Sequence, residues 1–181
     1  MKAHFQLIIV LSHIMIAAIF SLYGPAGAEA MEVGQTVTNV TVRDARDKPA
    51  QIPHLGQKTV LIYYVDPDVS NQNDPFTRAL KKYKFPDEKF YGLGIVNLLD
   101  TKYPNAIVRA MVRREMKASN AVILTDPDSI LQKSWDLGNC NNKSVIILID
   151  KNRKVRFFKK GALSDSEISS AIDLIGEMVK Q

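Results

Sequence analysis

Two stretches of the chain are apolar without interruption. Thr59 to Val65 (Thr-Val-Leu-Ile-Tyr-Tyr-Val) is bounded by Gly56 and Pro67, and Ser144 to Ile149 (Ser-Val-Ile-Ile-Leu-Ile) runs into a polar turn at Asp150 to Arg153. β-Branched and aromatic residues in runs of this length predict strands covered on both faces. Weaker strand patterns lie between them, at Tyr91 to Asn97, where Gly92 and Gly94 blur the edges, and at Ala121 to Thr125, closed by Asp126-Pro127-Asp128. Val155 to Phe158 returns from the polar turn as the second arm of an antiparallel hairpin. Residues 33 to 56 alternate weakly through Val37, Val40 and Val42 and predict a lead-in hairpin or edge strand.

Helical spacing fills the gaps. Asp74 is placed to cap a helix with Pro75 at its first position, and Phe76, Ala79, Leu80 and Tyr83 recur on one face before Pro86 ends the region. Ile107 to Lys117 predicts a second helix, and Ile130 to Leu137 one or two helical turns. The last helix is announced by a capping box, Ser164 with Glu167, and by a staple of Leu163 on Ile168. Its apolar stripe runs through Ile168, Ala171, Ile172, Ile175, Met178 and Val179. The order is an α/β pattern with a βαβ start and a ββα end, which predicts a central mixed β-sheet with helices on both faces.

Composition changes this picture in three ways. At 181 residues, 46% hydrophobic and 24% charged, the chain suits one globular domain and neither a disordered nor a multi-span membrane protein. Met1 to Ala30 stands apart, with Lys2 and His4, an apolar stretch from Phe5 to Leu22 and small residues ending in Ala28-Glu29-Ala30. That pattern predicts a signal peptide cleaved after Ala28 or Ala30, periplasmic export, and a single domain over residues 31 to 181. The net charge of +5 is unchanged by loss of Lys2 and Glu29. For an exported basic domain this favours an acidic envelope protein or small ligand over nucleic acid, with no membrane attachment once the signal is gone. Finally, a single cysteine, Cys140, excludes every Cys-x-x-Cys chemistry, and no phosphate loop, dinucleotide fingerprint or zinc cluster occurs, so no cofactor is expected.

Four segments carry a family resemblance: Lys84-Phe85-Pro86 leading to Ile95-Val96-Asn97, Asp126 to Leu137 with Trp135, Ser144 to Lys151, and Lys160-Gly161-Ala162-Leu163. With the strand at Thr59 to Val65, their order resembles the YtfJ-like proteins of the thioredoxin superfamily. The resemblance implies a periplasmic thioredoxin-like fold and no established reaction. In redox-active members a dithiol sits between the first central strand and the next helix, and a cis-proline faces it. Here that loop is Asp66-Pro67-Asp68-Val69-Ser70-Asn71-Gln72-Asn73, without sulfur, and the proline position falls at about Ser144. Dithiol exchange is therefore not expected. The loop carrying Cys140 is implied to approach the same place.

The reading is a non-redox binding module whose recognition face comprises Asp66, Asp68, Ser70, Asn71, Asp74, Cys140, Lys143 and Ser144. A second reading makes Cys140 a lone peroxidatic or mixed-disulfide thiol, its pKa lowered by Lys143 or Lys133. A third gathers Asp66, Asp68 and Asp74 around a metal, although Asn71 and Thr77 stand where a calcium loop has its glycine and bidentate glutamate. Arg109, Arg113 and Lys117 share a helical face and offer an electrostatic docking surface or a merely solvated one. His54 reads as a loop residue, and Trp135, Tyr63 and Tyr64 as core.

Overall fold

The computed structural model describes residues 30–180, so the predicted signal segment lies, but for Ala30, outside the described residues. The chain forms β1 (Thr41–Arg43), β2 (Pro49–Gln51), β3 (Thr59–Val65), α1 (Asp74–Leu80), β4 (Phe90–Asn97), α2 (Asn105–Ser119), β5 (Ile123–Asp126), α3 (Ile130–Ser134), β6 (Ser144–Ile149), β7 (Val155–Lys160) and α4 (Asp165–Met178). One mixed sheet takes all seven strands in the order β2-β1-β5-β4-β3-β6-β7. β3, β4 and β5 are parallel, and β1, β2, β6 and β7 flank them in antiparallel pairs.

The period-two alternation of β3 sends its side chains to two different cores. Val60, Ile62 and Tyr64 join Leu93, Ile95, Leu131 and Trp135 on one face, under α3 and the N-terminal segment. Leu61 joins Phe76 of α1 and Ile168, Ile172 and Ile175 of α4 on the other. There α2 covers a separate patch, Val108 and Val112 against Val96 and Ile123. Helices thus lie on both faces, and α1, α2 and α4 share one of them.

The capping box of α4 forms as expected, with Ser164 Oγ accepting from Glu167 N–H at 3.3 Å and Glu167 Oε2 accepting from Ser164 N–H at 2.8 Å. The Lys159 ammonium, 2.7 Å from Glu167, and then the Ser164 donors hold that carboxyl down to about 2. Two expectations need correction. Asp74 is the first residue of α1 rather than its cap, because Asn73 occupies the cap position. Asn73 does not cap with its side chain. Its Nδ2 donates to the Gly161 carbonyl (3.1 Å) and its Oδ1 accepts from Leu163 N–H (3.0 Å), tying the start of α1 to the entrance of α4. The basic face of α2 is also partly spoken for. Arg109 pairs with Asp47 at 2.6 Å and Arg113 donates to the Ala45 carbonyl at 2.7 Å, so both fasten α2 to the β1–β2 hairpin.

Candidate functional site

Strand β3 ends where the sheet's parallel strands present their carboxyl ends, the usual place for ligand crevices in open α/β sheets. The chain turns there through Asp66 into a single 3-10 turn, Pro67–Val69, that Asp66 itself caps. Asp66 is fully buried. Its Oδ1 accepts from Asp68 N–H at 2.9 Å and its Oδ2 from Asn142 N–H at 2.7 Å, while its own N–H donates to the Lys143 carbonyl at 3.2 Å. One carboxylate therefore latches the β3–α1 loop to the loop before β6. Gln72 repeats the device, its Oε1 accepting from Ser144 N–H at 2.8 Å. The two segments do adjoin, as the sequence implied.

The thiol does not join them. Cys140 is fully buried and packs with Tyr64, Trp135 and Leu137 on the α3 face of the sheet. Its Sγ has a long contact, 3.5 Å, to the Gly138 carbonyl. Burial pushes the thiol up to about 11, and Lys160 and then Lys143 only partly oppose this. Beside it, Tyr64 donates to Asp126 Oδ2 at 3.1 Å, and Asp126 also accepts from Ile130 and Leu131 N–H at 2.7 and 3.0 Å, closing the start of α3. Burial raises the pKa of both Asp126 and Tyr64, and for Tyr64 the neighbouring carboxylate adds to it. This buried pair is structural, a carboxylate anchoring a short helix.

Of the residues assigned to a recognition face, Asp66, Cys140 and Ser144 are thus buried. Asp68 and Lys143 are half-buried; Asp68 accepts from the Thr101 hydroxyl (3.3 Å) and Lys143 donates to the Asn139 carbonyl (3.3 Å). Ser70, Asn71 and Asp74 face solvent. The carboxylate metal arrangement is not assembled. Asp66 spends both oxygens on backbone N–H groups, Asp74 lies 3.9 Å from Arg78, and among the described residues no three His, Cys, Asp or Glu side chains converge on a metal position.

The exposed trio instead forms one wall of a groove of about 570 Å³ between the 67–74 segment and α2, with Val96, Val108 and Met111 opposite and Tyr63 and Gly94 beneath. A second cavity of about 640 Å³ continues past Tyr63 and Gly94 under the C-terminal end of α1. Sequence reasoning placed Tyr63 in the core. It is half-buried, its ring lies tilted (31°) against Phe76 at 5.7 Å, and its Oη is buried with no hydrogen-bond partner among the described residues. Burial pushes it up to about 12. The Thr77 hydroxyl, which donates to the Asn73 carbonyl, offsets a little of that without completing a hydrogen bond to it. The available signal was the pair Gly92 and Gly94, since glycine inside a strand often marks a surface left open for a close approach. His54 is a half-buried loop residue edge-on to Tyr91 at 4.7 Å, and Trp135 is core, donating to the Thr38 carbonyl at 2.9 Å.

Comparison with known proteins places this geometry in context. The profile of a family described as "Bacterial protein of unknown function (YtfJ_HI0045)" matches residues 54–178. An uncharacterised protein of Haemophilus influenzae is 28% identical over 110 residues, 60% of this chain and 59% of its own length, so the match spans less than two-thirds of that relative. The uncharacterised protein YtfJ of Escherichia coli K12 is 23% identical over 170 residues, 86% of this chain and 91% of the relative. Among solved structures, a candidate protein disulfide isomerase from Bacteroides thetaiotaomicron superposes with a TM-score of 0.61 at 17% identity, covering 84% of this chain and 96% of that one. The peroxidoxin BcpB of Mycobacterium tuberculosis gives 0.57 at 19% identity, covering 82% and 98%. Identities this low establish the thioredoxin-like fold alone.

Proposed function

This chain belongs to the YtfJ_HI0045 family of bacterial proteins, and from that premise we propose that it is an exported, periplasmic binding module that keeps a thioredoxin-like frame without thiol chemistry. The observation that carries the reading is Asp66. At the place where dithiol members of the superfamily resemble one another, this chain has a buried carboxylate whose two oxygens are committed to Asp68 and Asn142 N–H. A carboxylate has no redox role there, and an acceptor already filled offers nothing to a substrate disulfide. The lone thiol is buried on the α3 face of the sheet, away from the groove, with its pKa raised to about 11, so at neutral pH it is almost wholly protonated and a poor nucleophile.

Binding is assigned to the groove between the 67–74 segment and α2. Ser70, Asn71 and Asp74 supply hydrogen-bonding groups on one side and Val108 and Met111 apolar surface on the other. That combination suits a small ligand or a segment of an envelope protein. Two measurements test the reading together. Purified residues 31–181 should show no insulin reduction, and Cys140 should react with a thiol reagent with an apparent pKa near 11. An apparent pKa below about 8.5, the ordinary thiol value, returns the lone-thiol enzyme to first place. Export is tested by the N-terminus of the cell-envelope fraction, which should begin at Glu29 or Met31.

A further inference from the structure

The second cavity has chemistry of its own. Its floor is bare backbone of a central strand, for an added Cβ at Gly92 would meet nothing nearer than the Phe90 ring at 4.0 Å. One wall is aromatic, for the Tyr83 and Phe85 rings stack nearly parallel (7°) with centroids 6.1 Å apart, and Phe85 leans on Phe90 at 5.1 Å. Tyr83 is 53% exposed, far more than an aromatic ring with a packing role requires. Lys81 and Lys84 stand at the rim against one carboxylate, Asp87, and neither lysine is in an ion pair among the described residues. Beneath the floor the Tyr63 Oη is buried without a partner among the described residues, out of reach of a bound molecule. A slot with an aromatic wall, an open glycine floor and cations at the mouth has a definite complement.

We propose that this cavity binds a planar aromatic acid, with the ring between the Tyr83–Phe85 wall and the Gly92–Gly94 floor and the carboxylate at Lys81 and Lys84. Aromatic walls gain from stacking beyond the area they bury, and cations near an apolar slot select anions. A flexible fatty chain would forfeit the flat contact and lose rotor freedom. The two cavities share Tyr63 and Gly94, and Gly92, which lines this one and not the groove assigned above, separates the two readings.

The test uses residues 31–181 with naphthoate and hydroxynaphthoate as probes, followed through the amide resonances of Gly92 and Gly94. Both probes should shift these amides saturably, with dissociation constants of about 0.1–1 mM for ligands this small. Replacing Lys81 and Lys84 together by Ala should weaken naphthoate by roughly three- to tenfold, the scale of partly exposed charge pairs. Gly92→Val should abolish both while the domain stays folded, since the backbone there is ordinary and the space is open. Naphthylmethanol or octanoate binding as tightly as naphthoate overturns the assignment of ligand. An unchanged affinity in Gly92→Val overturns the assignment of place, and unmoved glycine amides at millimolar probe overturn both.

Discussion

Asp66→Ala deletes the acceptor of the loop-bridging bond from Asn142 N–H and of the local bond from Asp68 N–H, and leaves the apolar contacts of β3 and α1 intact. Hydrogen bonds to a charged group contribute about 1.5–3 kcal/mol each, so the bonds at 2.9 and 2.7 Å set an upper figure of about 3–6 kcal/mol. Two effects reduce it. Removing a buried ion recovers part of its desolvation cost, and Asn142 is exposed, so water can take over its N–H. The expected net loss is about 2 kcal/mol, measured from the urea midpoint at constant slope. That leaves a folded protein, given the ~5–15 kcal/mol typical of a domain. Asp66→Asn keeps one acceptor oxygen but turns an amide NH₂ toward the second N–H, and should cost about 1 kcal/mol. In both variants the Asn142 and Ser144 amides should exchange faster with solvent than in the parent, while amides in the middle of β3 and β6 stay protected. An alanine variant within about 0.5 kcal/mol of the parent, with Asn142 exchange unaltered, refutes the view that this carboxylate holds the two loops together.

The remaining predictions concern groups elsewhere in the fold. Tyr63→Phe removes a buried hydroxyl without a partner and should raise stability by up to about 1 kcal/mol; a loss of that size in a thermal or urea melt would reveal a hydrogen bond that the geometry lacks. Glu167, held down to about 2, contributes stability that is present above its ordinary value of 4.5 and lost as pH falls toward 2, whereas Asp126, held above 3.8, contributes most below that value and less as pH rises through its folded pKa. Glu167→Gln should therefore flatten the acid side of the pH–stability curve, and identical curves for variant and parent count against the Lys159 pair. Ser164→Ala should cost about 1 kcal/mol through the capping box at the start of α4, read from the same urea titration, and a change below about 0.3 kcal/mol goes against it.

The parts of this structure that were legible in the sequence are those where one segment decides its own fate. The runs Thr59–Val65 and Ser144–Ile149 are strands to the residue, because breakers bound them and their β-branched content leaves no helical option. The capping box fixed α4 for a similarly local reason. Errors fall where a distant partner intervenes. Asn73 looked like the last residue of a polar loop because its partners, Gly161 and Leu163, lie about ninety residues away. Arg109 and Arg113 looked like a free basic stripe because Asp47 and Ala45 lie more than sixty residues away. The approach of the two loops was implied by family resemblance, yet the inward turn of Cys140 was not, since a thiol in a polar loop gives no sign of which way it points. The groove was hardest to see. Its floor at Gly94, like that of the adjoining cavity at Gly92 and Gly94, is made by side chains that are missing, and a pattern of apolar positions records only those that are present.

The bracket made by Asn73 has a consequence for how the molecule comes into being. A nascent chain that has emerged only as far as residue 160 possesses β3, α1 and the whole 67–74 segment, yet lacks both backbone groups that Asn73 grips. The loop before β6 and the first residue of that strand, which supply the partners of Asp66 and Gln72, also arrive late. The crevice is thus finished only once residues 142–163 have joined the fold, and a product cut short at residue 140 carries every residue of its walls without the partners that arrange them.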